Sequence, residues 1–177
     1  MADNNSVISF EARVSKAGDW PVVILPKSVS LKLPSRGMTL VAVKLNGKDL
    51  RVALEPDGKG SHWFKLDSDA LKAKTGDESI KLSIESINDW PEPLIPKDIK
   101  TGLESDKRAK ELWDKITPMA RWDWIRWIRS TNNPDTRQLR IKVACSKLKS
   151  GNRRPCCFNR SACTVPEVSK NGVLIHN

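Results

Sequence analysis

A unit built as strand, stop residue, short helical turn, glycine and strand occurs twice in the front half of the chain. The copies are VVILPKSVSLKLPSRGMTLVAVKL, beginning at Val22, and WFKLDSDALKAKTGDESIKLSIESI, beginning at Trp63. In the first, Pro26 ends the strand, Val29, Leu31 and Leu33 give the turn an apolar side, and Gly37 lets the chain reverse; in the second, Asp67, then Ala70, Leu71 and Ala73, then Gly76 do the same. Two related halves of this kind bury their apolar faces by closing on one another, which predicts a small β-barrel. The remaining signals agree. Ile8, Phe10, Ala12 and Val14 alternate with Val7, Ser9, Glu11 and Arg13 as in a strand buried on one face. Asn46-Gly47 marks a hairpin, and PDGKG at 56–60 marks a second turn.

The prolines at 91, 93 and 96 disfavour both helix and sheet ladder and predict a semi-rigid linker over 89–104. Three helices are expected after it. Ser105 or Asp106 can cap the first, which places Ala109, Leu112, Trp113 and Ile116 at helical spacing. Thr117-Pro118 and Asn133-Pro134 each set a capping side chain before a proline at the first helical position, where its missing N–H costs nothing. Gly151 closes the third helix. On the second helix Trp122, Trp124, Ile125, Trp127 and Ile128 share a wide arc that predicts core packing, with Asp123 and Arg126 on the opposite side. On the third, Ile141, Ala144, Cys145 and Leu148 form the buried stripe. The class is α+β: a small β-barrel of two related strand-turn-strand halves over 1–88, the linker over 89–104, a basic three-helix region over 105–151 and an irregular tail over 152–177.

Charge is divided as sharply as structure. Residues 1–104 carry 15 Lys+Arg and 15 Asp+Glu, residues 105–160 carry 15 and 5, and the rest one of each, so the whole net charge of +10 sits in the helical region. Such a cluster favours an anionic macromolecule: nucleic acid, an acidic protein face or an anionic envelope component. Arg137, Arg140, Lys147, Lys149, Arg153 and Arg154 are the candidate anion-binding residues. Two alternatives stand beside this reading, a protein-interaction module using a groove of the barrel, and a small-molecule binder or enzyme with a cleft between barrel and helices around Arg51, His62 and Trp90.

Little else points to chemistry. All four cysteines fall in the last 33 residues, and adjacent thiols pair poorly, so Cys156 and Cys157 are expected to be free and candidates for redox sensitivity beside Arg153 and Arg154. Neither they nor Cys163 and His176 supply the separated pairs of a zinc site, so no metal and no cofactor is expected. The chain has no Tyr and only two His, and no nucleophile with its base can be assembled from it, which argues against an enzyme. No apolar run approaches the roughly 20 residues of a membrane span. Met1 to Asn5 lacks the basic and apolar parts of a secretory signal, so the cytoplasm is the expected location.

Two resemblances extend this reading. The strand, proline turn, Gly-Asp and strand arrangement, carried by Leu25-Pro26-Lys27 and Gly76-Asp77, resembles the double-split AbrB-like barrel. The runs WIRSTNNPDTRQLRI, KLKSGNRRPCCFNR and CTVPEVSKNGVL look like the C-terminal region of the YdeI/OmpD-associated, or bacteriocin-protection, family, with Asp135-Thr136-Arg137, Arg153-Arg154 and the tail from Pro166 to Leu174 as the specific matches. The front half is similar to the domain of unknown function that often precedes that region. The resemblance implies an accessory role in bacterial stress and antimicrobial-peptide tolerance, and brings no catalytic residues with it.

Overall fold

A computed structural model describes residues 6–71 and 79–177; Ala73 and the Gly76-Asp77 pair of the second repeat lie outside them. The chain divides into two compact units, the first made of residues up to Asp89 with Arg160–Cys163 and Glu167–Asn177, the second of Trp90–Asn159 and Thr164–Pro166.

The first unit contains strands β1 (Ile8–Ala12), β2 (Val14–Ala17), β3 (Trp20–Ile24), β4 (Thr39–Leu45), β5 (Lys48–Pro56), β6 (His62–Lys65) and β7 (Ile80–Ser86), with short helices α1 (Lys27–Ser30) and α2 (Ser68–Leu71). The two sequence repeats are β3-α1-β4 and β6-α2-β7. They interlock, because equivalent strands pair antiparallel with each other: Val23 faces Phe64 between β3 and β6, and Val43 faces Ile84 between β4 and β7. The resulting sheet runs β1-β7-β4-β5-β6-β3-β2. Its two edges, β1 and β2, are separated in the chain by Arg13 alone, so the sheet curls on itself as a half-barrel. Val23, Val41, Val43, Leu54, Phe64 and Ile84 fill its interior, each contributing roughly 1.5–3 kcal/mol by leaving water. At the β4–β5 hairpin Asn46 (φ 50°) and Gly47 (φ 76°) adopt the two positive φ angles that a tight hairpin turn demands.

The tail contributes more order than its sequence led us to expect. A 3₁₀ turn at Pro166–Val168 leads into the hairpin β8 (Ser169–Lys170) and β9 (Val173–Leu174), turned at Asn171 (φ 52°) and Gly172 (φ 76°). Leu174 N–H donates to the Asp57 carbonyl at 2.9 Å, which ties this hairpin to the Pro56–Gly60 turn.

The second unit holds α3 (Lys97–Glu104), α4 (Lys107–Lys115), α5 (Pro118–Arg129) and α6 (Pro134–Lys149). The expected helices are α4 to α6, and their caps are the expected ones: Asp106 accepts from Ala109 N, Thr117 from Ala120 N, and Asn133 from Asp135 N and Thr136 N. Helix α3 occupies part of the span read as linker. Pro96 sits outside it at the N-cap, where a missing N–H is harmless, and Ile99 and Leu103, one turn apart, are buried and hold it in place. The core gathers Ile99, Leu103, Trp113, Trp124, Ile128, Ile141 and Leu148.

Candidate functional site

Helix α5 has no free polar face. Asp123 and Arg126, expected opposite the tryptophans, are only 4 % and 1 % exposed. The segment after α6 covers them. Trp124 Nε1 donates to the Arg153 carbonyl at 2.9 Å, Arg154 pairs with Asp123 at 3.4 Å, and the Arg126 guanidinium lies 5.2 Å from the Phe158 ring centre. Only an imbalance of hydrogen-bonding groups could have signalled this from sequence: a Trp, an Asp and an Arg within one turn of a helix need partners, and the segment from Arg153 to Phe158 lies against all three.

The candidate anion-binding residues fall into two groups. Four are engaged in building the unit. Arg137 forks onto Asp98 (Nε–Oδ2 2.5 Å, Nη2–Oδ1 3.0 Å) and joins α6 to α3. Lys149 meets Asp106 at 2.5 Å, and Arg154 meets Asp123. Arg140 donates to the Trp127 carbonyl and to Ser130 Oγ, both at 2.7 Å, closing the C-terminus of α5 while lying 5.4 Å from the Trp127 ring centre. Lys147 and Arg153 are exposed and free of carboxylate partners among the described residues.

Cations outnumber acids two to one in this unit. Residues 90–159 hold sixteen Lys+Arg and eight Asp+Glu. Seven of the eight carboxylates are already in ion pairs: Glu92 with Arg121, Asp98 with Arg137, Glu104 with Lys100, Asp106 with Lys149, Glu111 with Arg108, Asp114 with Lys110, and Asp123 with Arg154. Beyond them Lys97, Lys107, Lys115, Lys142, Lys147 and Arg153 are exposed without a carboxylate in ion-pair range among the described residues. The surplus is therefore uncompensated at the surface.

Between α3 and α6 lies a groove of about 880 Å³. The two helices touch where Gly102 meets Ile141; a Cβ on Gly102 would come 2.4 Å from Ile141 Cγ2. The Arg137–Asp98 pair stands toward one end and Lys149–Asp106 toward the other. The Arg137 guanidinium holds the Asp98 carboxyl below the usual carboxylate range, and the Lys149 ammonium does the same for Asp106. Asp106 in turn raises Lys149 above the ordinary lysine value. Burial pushes the Cys145 thiol up, so it stays protonated. A lowered carboxyl pKa gives stability that is complete above the unfolded value, near 3.9, and disappears as pH falls through the folded one. Asp98→Asn is expected to cost about 1–2 kcal/mol at pH 7, between the values for exposed and buried pairs. The stability difference between wild type and variant, measured by denaturation, should begin to shrink only as pH drops below about 4, and vanish below the lowered folded value of Asp98.

The residues expected around a cleft each have partners within their own unit. Arg51, on β5, bonds the Asp89 carboxylate at 3.0 Å. His62 is 1 % exposed; its Nε2–H donates to the Gly37 carbonyl at 2.7 Å, which leaves Nδ1 to accept from Ser30 Oγ at 2.6 Å. It is a buried, satisfied imidazole. Trp90 belongs to the helical unit and packs edge-on against Trp122, centroids 6.5 Å apart. Cys156 and Cys157 are free and exposed, Cys157 with φ 56°, while Cys145 and Cys163 are buried. Among the described residues no cluster of metal-ligating groups forms, and no helix is long and apolar enough to cross a membrane.

Comparison with known proteins adds two matches. Residues 92–151 match the family described as bacteriocin-protection, YdeI or OmpD-associated, and residues 10–83 match a domain of unknown function, DUF1905. No curated protein matches the chain.

Proposed function

We propose, for a chain that belongs through its helical region to the bacteriocin-protection, YdeI or OmpD-associated family, a non-enzymatic accessory role in bacterial stress and antimicrobial-peptide tolerance in the cytoplasm, exerted by binding an anionic macromolecule. Family membership supports the accessory role. The observation that carries the binding is that Lys107, Lys115, Lys147 and Arg153 stay exposed without a carboxylate partner among the described residues once seven of eight carboxylates are paired. Of the candidates named from sequence, Lys147 and Arg153 are the ones available to a ligand, joined by Lys107 and Lys115. Arg137, Arg140, Lys149 and Arg154 support the fold instead, so replacing them tests stability before it tests binding.

The test is a fluorescence-anisotropy titration of the full chain against labelled duplex DNA, with polyglutamate as a second polyanion. If about six phosphates are contacted, affinity should fall by about 10³-fold between 50 and 200 mM salt. Combining Lys147→Glu with Arg153→Glu should lower the salt slope by about 2. Absence of binding to either polyanion at 50 mM salt would overturn the proposal.

A further inference from the structure

We propose that the groove between α3 and α6 is a binding site for a small amphipathic carboxylate, an apolar chain or ring bearing a single carboxylate group. Its volume, about 880 Å³, lies within the range of roughly 300–1,000 Å³ typical of small-molecule sites. Gly102, Ile141 and Cys145 line it with apolar surface, and the close approach of Gly102 to Ile141 joins the two walls at the bottom.

Charge selects the occupant. The two carboxylates on the lining are taken up by Arg137 and Lys149, so neither presents an unanswered negative charge to a ligand. What remains is Lys97 on α3 and Lys142 on α6, ammonium groups that line the groove without a carboxylate partner among the described residues. An apolar body covers the floor while its carboxylate meets one of these ammoniums above it. A cationic amphiphile of equal length is repelled by the same groups, and a neutral one gains nothing from them. The protonated Cys145 thiol adds to the apolar floor and brings no negative charge. This site goes beyond the polyanion reading, which rests on Lys107, Lys115, Lys147 and Arg153.

The experiment titrates decanoate, below its critical micelle concentration, into the ¹⁵N-labelled full chain, with decyltrimethylammonium and decanol as comparison ligands. Decanoate should shift the amides of α3 and α6 and bind at least about tenfold more tightly than decyltrimethylammonium, a difference of about 1.4 kcal/mol. Lys97→Glu with Lys142→Glu should remove that preference. Ser146→Trp fills the mouth from an exposed position without changing charge, and should abolish decanoate binding while leaving polyanion affinity intact. Shifts confined to other elements, equal binding of the cationic ligand, or undiminished affinity in Ser146→Trp would each overturn the site. The wild-type ligand comparison decides the matter even where a variant fails to fold.

Discussion

Trp124→Ala is expected to destabilise the helical unit by about 3–5 kcal/mol, the range for removing a large aromatic side chain from a packed core. The indole is 1 % exposed, lies edge-on to Trp127 with centroids 5.9 Å apart, and satisfies the Arg153 carbonyl through its N–H. Truncation opens a cavity beneath the segment that follows α6 and leaves that carbonyl without its donor. Release of the segment would also uncover Asp123 and Arg126, whose burial Arg154 and Phe158 help to compensate. Urea unfolding followed by tryptophan fluorescence should show the midpoint falling by more than about 1 M for a slope of roughly 1–3 kcal/mol per M. Trp124→Phe keeps most of the packing and removes the donor, and should lose about 1–3 kcal/mol. A shift below about 1 kcal/mol in the alanine variant would mean that the segment is held by something other than this contact.

Gly58→Ala should be the most damaging single methyl added to the first unit, costing about 3 kcal/mol or more. Two penalties combine. Gly58 has φ +78°, in the left-handed region that costs an L-residue roughly 1–2 kcal/mol. Its new Cβ would also stand 2.0 Å from the Gly172 carbonyl oxygen and 2.9 Å from the carbonyl carbon, a collision with backbone that no rotamer change relieves. The Pro56–Gly60 turn and the β8–β9 hairpin must then separate, breaking the bond from Leu174 N–H to the Asp57 carbonyl. Gly60→Ala supplies the control: φ is +94° but nothing lies within 4 Å of its Cβ position, so only the backbone penalty applies. Hydrogen exchange should show fast exchange at Leu174 in Gly58→Ala and near-native protection in Gly60→Ala. Equal effects of the two substitutions would remove the close approach as the cause.

Much of the fold was legible because its signals are local. The described parts of the repeat around Pro26 and Asp67, the Asn46-Gly47 hairpin and the caps at Asp106, Thr117 and Asn133 each rest on a few neighbouring residues with restricted backbone geometry, and each formed where expected. Asn171-Gly172 is the same hairpin signal as Asn46-Gly47, but its flanking strands are two residues long, too short for an alternation to register. Helix α3 was obscured by the prolines ahead of it, which mark a helix start as readily as a linker. The candidate site was less legible. Arg137 and Lys147 look alike in a run of basic residues, and only the position of Asp98, thirty-nine residues before Arg137, separates a structural clamp from a cation left for a ligand.

By itself the sequence determined the class of each half, the strand and helix boundaries governed by caps and turns, the presence of two related halves, and the confinement of net charge to the helical region. These follow from covalent neighbours and from totals, which folding cannot alter. Tertiary structure alone decided which cations remain uncompensated, that Asp123 and Arg126 are buried, and that small residues on α3 and α6 leave a groove with lysines at its rim. Each of those depends on what a distant segment places within a few ångströms. Burial and ion pairing fall off over that same short distance, so they became readable only when the chain was folded.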